Sequence, residues 1–359
     1  MSNHRGFDDI EDFDDIETRA TLDDLELELP DRRAGKVRIS YELSPTERLF
    51  VTTDRLSAFD KIIATVPHKG QVLNQLAAWW FDQTSDVVAN HLLEVPDPNV
   101  TVARSAIPLP VEVVVRGYIT GVTSTSLWRQ YAGGARHIYG YDFGDGLAKN
   151  TPLPTAIVTP TTKALDGDHD EPISCADVVS HGLVQPELWA QDQTAALELF
   201  ARGQQVAASA GLILADTKYE FGLVVDTGEL LVIDEMHTPD SSRYWVADSY
   251  ADRVAADQEP ESLDKEIVRR ALIDLGYDGH GTPPALPADV VAAASARYVS
   301  AYERLTGLAF VPGDAPIAAR IIGNLAPHLA RARARADAVR SASASTASTA
   351  STASTEDSA

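Results

Sequence analysis

The stretch LADTKYEFGLVVDTGELLVIDE, Leu214 to Glu235, places acids and a lysine where a sheet core is expected. Its period-two pattern predicts a hairpin with Asp216, Lys218 and Glu220 on one face and Tyr219, Phe221 and Leu223 on the other. Asp226-Thr227-Gly228 reads as a three-residue loop, with Gly228 in the left-handed conformation such loops favour at their last place. In that register Leu231 and Ile233 extend the apolar face. Glu220 then lies directly opposite Asp234, with their Cβ atoms about 5 Å apart. Two carboxylates that close repel each other. A divalent cation held by both would remove the repulsion, and Mg²⁺ characteristically takes one or two carboxylates plus substrate phosphates. On spacing alone, a solvated polar hairpin face remains the alternative.

Three other polar clusters each follow an expected strand. VTTDRLSAFD offers Asp54, Arg55, Ser57 and Asp60, either as a capped turn or as part of a site. RGYITGVTSTSLW supplies Arg116, Gly121 and a hydroxyl-rich loop. DEMHTPDSSRYW crowds Asp240, Ser241, Ser242 and Arg243 into one loop. Arginine beside small hydroxyl residues suits phosphate, and four such clusters point to a single cleft. Other chemistries find no support. There is no GxxxxGK[ST] and no GxGxxG after a strand. DGDHDE sets Asp166, Asp168 and Asp170 at EF-hand spacing, but Glu171 stands where that loop requires Gly. The histidines have no zinc-type spacing.

The elements that must position these residues read as α+β. Strands are expected at GKVRISYEL and RLFVTTD around a turn at Ser44-Pro45-Thr46, and again through VTVARSAIPLPVEVVVRGYIT, broken by Pro108 and Pro110. Helices are expected at QVLNQLAAWWFDQTS, from Pro186 to Gly211, and over 262–275, 287–306 and 315–340. The chain of 359 residues carries a net charge of −23, and residues 1–31 hold twelve acids against two arginines. Such an acidic balance argues against nucleic acid as a partner. It fits either a surface adapted to high salt or an ordinary acidic protein with an unstructured leader. No apolar run is long enough for a membrane span. Cys175 is the only cysteine, which suits a reducing cytoplasm. Residues 1–33 and the Ala/Ser/Thr tail 341–359 are expected to stay outside the core.

Five motifs, DRLSAFD, PVEVVVRGYITG, TPTTKALDGDHDEPIS, LADTKYEFG and IDEMHTPDSSRYW, occur in the order and approximate spacing of the SAICAR synthetase family. The resemblance runs from about Gly35 to Ala271 and is nearest the longer form of the family shared with eukaryotes. It implies a two-lobed α+β fold with antiparallel sheets: a kinase-like, ATP-covering lobe over 34–115 and an ATP-grasp-like lobe over 116–340, with the nucleotide between them. It also implies ATP and Mg²⁺ as cofactors and small-molecule partners, namely carboxyaminoimidazole ribonucleotide (CAIR) and L-aspartate, in a monomer or small homo-oligomer. By matching position, Glu220 and Asp234 would hold the metal, and Lys218 with Asp216 would face the reacting groups. Lys36, Arg38 and Glu112 would serve the nucleotide. Ser57, Arg116, Ser126, His169, Asp170, Asp240 and Arg243 would serve the other substrates, with Ser124 an alternative to Ser126. One departure is Ile39, where the family commonly has Asp after GKVR.

Overall fold

A computed structural model describes residues 21–59, 61–123, 125–163 and 170–353, with side chains to 341. The first sheet begins with β1 (Arg33–Ala34) and β2 (Arg38–Ser44), in which Ile39, Tyr41 and Leu43 alternate inward. A turn at Pro45-Thr46 returns the chain as β3 (Glu47–Thr52). A separate hairpin, β4 (Arg55–Ala58) with β5 (Lys61–Thr65), leads into the helix Lys69–Gln83. Then β6 (Leu92–Asp97) and β7 (Val100–Arg104) complete the sheet in the order β1-β2-β3-β7-β6.

Residues 21–33 belong to this lobe, contrary to the expectation that 1–33 stays outside the core; residues 1–20 lie outside the described residues. Leu22 and Leu25 are buried with Ile39, Tyr41, Leu49 and, from the C-terminal helix, Ile317, Ile321 and Leu325. The strap is also tied by its backbone: Leu22 N donates to Asp54 Oδ2 at 2.7 Å, and Asp54 N donates to Leu22 O at 2.7 Å. Its acidity hid a leucine every third or second place, Leu22, Leu25, Leu27 and Leu29, all packed on one core.

The second sheet is built on a long strand, β8 (Ile107–Ile119), whose β-branched run Val111, Val113, Val115 is buried. Pro108 and Pro110 lie inside β8 and do not break it: Pro108 faces Gly222, and the carbonyl of Pro110 accepts from Lys163 N at 3.1 Å. A lobe boundary between 115 and 116 therefore cuts a continuous strand. After the short pair β9 (His137–Ile138) and β10 (Tyr141–Asp142) come β11 (Thr151–Val158), β12 (Thr161–Thr162), β13 (Leu212–Leu223), β14 (Leu230–Ile233) and β15 (Ser242–Val246). The strand order is β11-β8-β13-β14, with β12 pairing β8 and β15 pairing β13, all antiparallel.

The helix Pro186–Ser209 lays Trp189, Ala196, Leu199 and Phe200 on this sheet and stops before Gly211, which is left-handed at φ +69°. The helices Glu266–Asp274 and Ala288–Thr306 join Val268, Leu272 and Tyr298 to Leu56, Val66, Val72 and Leu73. They thereby fasten the β4–β5 hairpin to the chain's C-terminal half. The last helix, Ile317–Ala353, runs past the expected end at 340 into the Ala/Ser/Thr tail. Alanine has the highest helix propensity of all residues, and the preceding turns supply the nucleus.

The charged hairpin forms, but one residue out of the expected register. Val224 N donates to Glu229 O and Gly228 N to Val224 O, so the loop holds four residues, Val225 to Gly228, rather than three. Gly228 is left-handed as expected, at φ +69°. Glu220 consequently faces Ile233, and Val232 rather than Leu231 or Ile233 shares the Phe221 face. Asp234 lies beyond β14 with φ +68°, a left-handed turn that re-aims its side chain.

Candidate active site

On β13 the side chains of Tyr219 and Phe221 go into the core at 0% and 1% exposure, while Asp216, Lys218 and Glu220 share the opposite face. Cross-strand pairing turns that face into two rows. In the first, Arg116 of β8 and Arg243 of β15 both stand opposite Asp216. Arg243 Nη1 and Arg116 Nη1 share Asp216 Oδ2, the latter at 3.4 Å. Arg116 spends its other nitrogens on Thr159 Oγ1 (2.8 Å) and Thr125 O (3.2 Å). In the second row Glu220 lies opposite Glu112, which lies opposite Thr161.

The carboxylate facing Glu220 is thus Glu112. Lys218 Nζ bridges the two, at 2.9 Å from Glu112 Oε1 and 2.5 Å from Glu220 Oε1, and Lys163 Nζ pairs with Glu220 Oε2. Burial alone would push the Glu220 carboxyl up, but Lys218 and Lys163 overcome it and hold the group well below its usual range. Burial would likewise depress Lys218, yet Glu220, Glu112 and Asp234 outweigh it and keep the ammonium charged far above the ordinary lysine range. Burial pushes Glu112 up, with Glu220 adding to the rise and Lys218 opposing it.

Asp234 meets the first lobe: Arg38 Nη1 lies 2.5 Å from Asp234 Oδ1, and Arg38 Nη2 lies 2.7 Å from Glu235 Oε2. Asp240 is buried, with Lys69 Nζ 2.8 Å from Oδ2 and the Tyr298 hydroxyl on Oδ1. Burial works against its ionisation, but Lys69 and Lys265 hold its carboxyl far below normal. Both oxygens of Asp240 are therefore taken up in joining the helix Lys69–Gln83 to Ala288–Thr306. The turn that presents Lys69 needs glycine next to it, because a Cβ on Gly70 would stand 2.4 Å from Thr52 O. Asp54 caps the same turn through Gly70 N at 2.8 Å, so the DRLSAFD motif is structural at Asp54, while Ser57 reaches open space.

That space is a cleft of about 1190 Å³ whose lining includes Lys36, Ser57, Lys61, Arg129, Asp170, Lys265, Arg269 and His280. In a chain of net charge −23 it gathers five cationic side chains, the setting for polyanionic ligands. Asp170 acts on Glu112, so the cleft adjoins the lysine–carboxylate row. Val122 is common to the cleft and to a small pocket around Arg243, Lys149 and Arg270.

The hydroxyl-rich loop departs from expectation. Ser126 is 3% exposed and donates to Thr123 O at 2.6 Å, and its Cβ lies 2.4 Å from where a Cβ on Gly121 (φ +95°) would stand. Thr123 and Thr125 face the cleft instead. Ser124 and His169, together with Asp60, Asp166 and Asp168, lie outside the described residues. Sequence reasoning passed over Lys163, although it stands inside the quoted TPTTK motif. It also passed over Lys69, Arg129, Lys265 and Arg269, the last two one helical turn apart.

Among the described residues no group of three or more His, Cys, Asp or Glu side chains forms a metal-ligand set. The donors present are hard carboxylate oxygens, Glu220 and Asp234, both close enough to act on Lys218. They fit an ion that takes one or two carboxylates and completes its shell with phosphate and water.

Comparison with known proteins identifies the family. The SAICAR synthetase family model matches residues 31–284. The phosphoribosylaminoimidazole-succinocarboxamide synthase of Legionella pneumophila is 47% identical over 297 residues, covering 81% of this chain and 93% of its own. The chloroplastic enzyme of that name from Arabidopsis thaliana is 45% identical over 313 residues, 85% of this chain and 74% of its own. Among solved structures, SAICAR synthase from Saccharomyces cerevisiae complexed with SAICAR superposes with a TM-score of 0.70 at 33% identity, covering 81% of this chain and 99% of that one. The chain belongs to the SAICAR synthetase family.

Proposed function

We propose that this chain is the ATP-dependent ligase that joins L-aspartate to CAIR, releasing SAICAR, ADP and phosphate in purine biosynthesis. The observation that carries the reading is Lys218, kept charged between Glu112 and Glu220 beside a cleft lined with cations. In this reaction the γ-phosphoryl group of ATP passes to the CAIR carboxylate and ADP departs. The aspartate amine then attacks the activated carbonyl, phosphate leaves and the nitrogen loses a proton. Anionic groups must meet in both steps, and fixed positive charge lowers that barrier. Lys218 supplies it as an ammonium and does not act as a base, because its neighbours hold its proton. Lys36 and Arg38 approach from the first lobe to serve the nucleotide. Arg116 and Arg243, fixed by Asp216, serve the ribonucleotide phosphate, and Ser57, Thr123 and Asp170 complete the walls.

Glu220 and Asp234 are the residues that would hold Mg²⁺, whose chemistry there is neutralisation of charge on the transferring phosphoryl group. Asp240 acts one step back, locking Lys69 and Tyr298. We place the enzyme in the cytoplasm. Burial raises its one thiol, Cys175, to about 11, which leaves it unreactive there. No described helix is long and apolar enough to cross a membrane.

The test is ADP and SAICAR formation from ATP, Mg²⁺ and CAIR, with and without L-aspartate, over a range of KCl. Both products should form only with both co-substrates. Folded protein that forms no SAICAR at any salt concentration overturns the assignment. A KCl optimum well above ordinary buffer strength supports a salt-adapted surface.

A further inference from the structure

Both oxygens of Glu220 are already occupied by cations of the chain itself. Lys218 Nζ holds Oε1 at 2.5 Å and Lys163 Nζ holds Oε2. The two lysines reach the carboxylate from opposite ends of the row. Lys218 lies opposite Val114, on one side of the Glu112–Glu220 pair. Lys163 follows β12, with its backbone N–H anchored on Pro110 O at 3.1 Å on the other side. A divalent ion that binds Glu220 must therefore compete with an ammonium at whichever oxygen it takes.

The lysines are not equally easy to displace. Lys218 is shared by two carboxylates, Glu112 and Glu220, and is drawn by Asp234 as well. Removing it would leave two acids facing each other across adjacent strands. Among the described residues Lys163 makes one ion pair, and its side chain is 36% exposed, so water can take over its charge at small cost. We propose that Lys163 is a positioning residue of the metal-binding step: it neutralises Glu220 in the empty enzyme and gives up that oxygen to the incoming divalent ion. The inference rests on the assignment of Glu220 as a metal ligand. It assigns Lys163 a role that no sequence spacing indicated, because the lysine reaches Glu220 only through the β12–β8–β13 pairing.

The experiment is a titration of the full chain with Mn²⁺ in the absence of nucleotide, followed by electron paramagnetic resonance. Lys163→Gln should bind Mn²⁺ about two- to fivefold more tightly than the unmodified protein, the range expected for removing one partly exposed competing charge. Lys163→Arg should stay near the unmodified value. Lys61→Gln, which removes a cleft lysine away from Glu220, should change affinity by less than half as much as Lys163→Gln. Unchanged or weaker binding in folded Lys163→Gln, or an equal gain in Lys61→Gln, overturns the inference. Glu220→Gln separates the two levels: if it leaves Mn²⁺ affinity unaltered, the metal assignment itself fails. If it abolishes binding while Lys163→Gln changes nothing, only the role of Lys163 fails.

Discussion

Glu112 and Glu220 face each other across β8 and β13, and a single ammonium, that of Lys218, spans the gap between them. Like charges at directly opposed positions destabilise a sheet. The lysine is therefore part of the fold as well as of the chemistry. This coupling explains why the charged stretch persists in a strand whose other face carries Tyr219 and Phe221 into the core.

Lys218→Ala should lower kcat by two or more orders of magnitude and leave nucleotide affinity changed by much less. It should also cost roughly 2–3 kcal/mol of stability, somewhat below the cost of breaking a fully buried pair because the side chain is 28% exposed. Single-turnover kinetics, nucleotide binding and denaturant unfolding read the three effects separately. Equal losses in turnover and nucleotide binding would reduce Lys218 to an anchor.

Asp234→Asn should cripple turnover at ordinary Mg²⁺, recover in part as Mg²⁺ is raised, and keep the fold. The isosteric amide still accepts from Arg38 at the 2.5 Å contact and still suits the left-handed turn. Kinetics across a Mg²⁺ series, beside a circular dichroism spectrum, check this. Near-normal activity at low Mg²⁺ would remove Asp234 from the metal site.

Asp192 gives the fold an acid that opposes it. The residue is 0% exposed on the helix Pro186–Ser209, neither carboxylate oxygen has a hydrogen-bond partner among the described residues, and burial pushes the group up to about 7 from 3.8. Between those values the folded state keeps a proton that the unfolded state has lost. Stability must therefore fall as pH rises from about 4 to about 7 and then level off. Asp192→Asn removes that loss. Its stability relative to the unmodified protein should improve across the same window, by at most about 4 kcal/mol. Melting curves at pH 5 and pH 8 decide it: a relative stability independent of pH would mean that Asp192 is ionised in a polar setting.

The strap at 21–29 should matter to stability far more than its acidic composition implies. Leu22→Ala and Leu25→Ala should each cost about 2–4 kcal/mol, since both side chains are buried between the first sheet and the C-terminal helix. Loss of less than about 0.5 kcal/mol in urea unfolding would show that the strap is not part of the core.

The alternation of charged and apolar residues along β13, the left-handed Gly228, the ends of the central helices and the family motifs were all legible in the amino-acid sequence. Each depends on periods of two or 3.6 residues, or on the conformational freedom of a residue in its own turn. The partners across the sheet were not legible. One additional loop residue, Val225, moved Ile233 opposite Glu220 and sent Asp234 round the end of the strand, while the separate β8–β13 pairing made Glu112, over a hundred positions away, the facing carboxylate. The same holds for Lys163 on Glu220, Lys69 on Asp240 and Leu22 under the C-terminal helix. A chain's local preferences select its elements. Register and long-range pairing follow from the packing of all of them at once, and only there are the charges of this site assigned to one another.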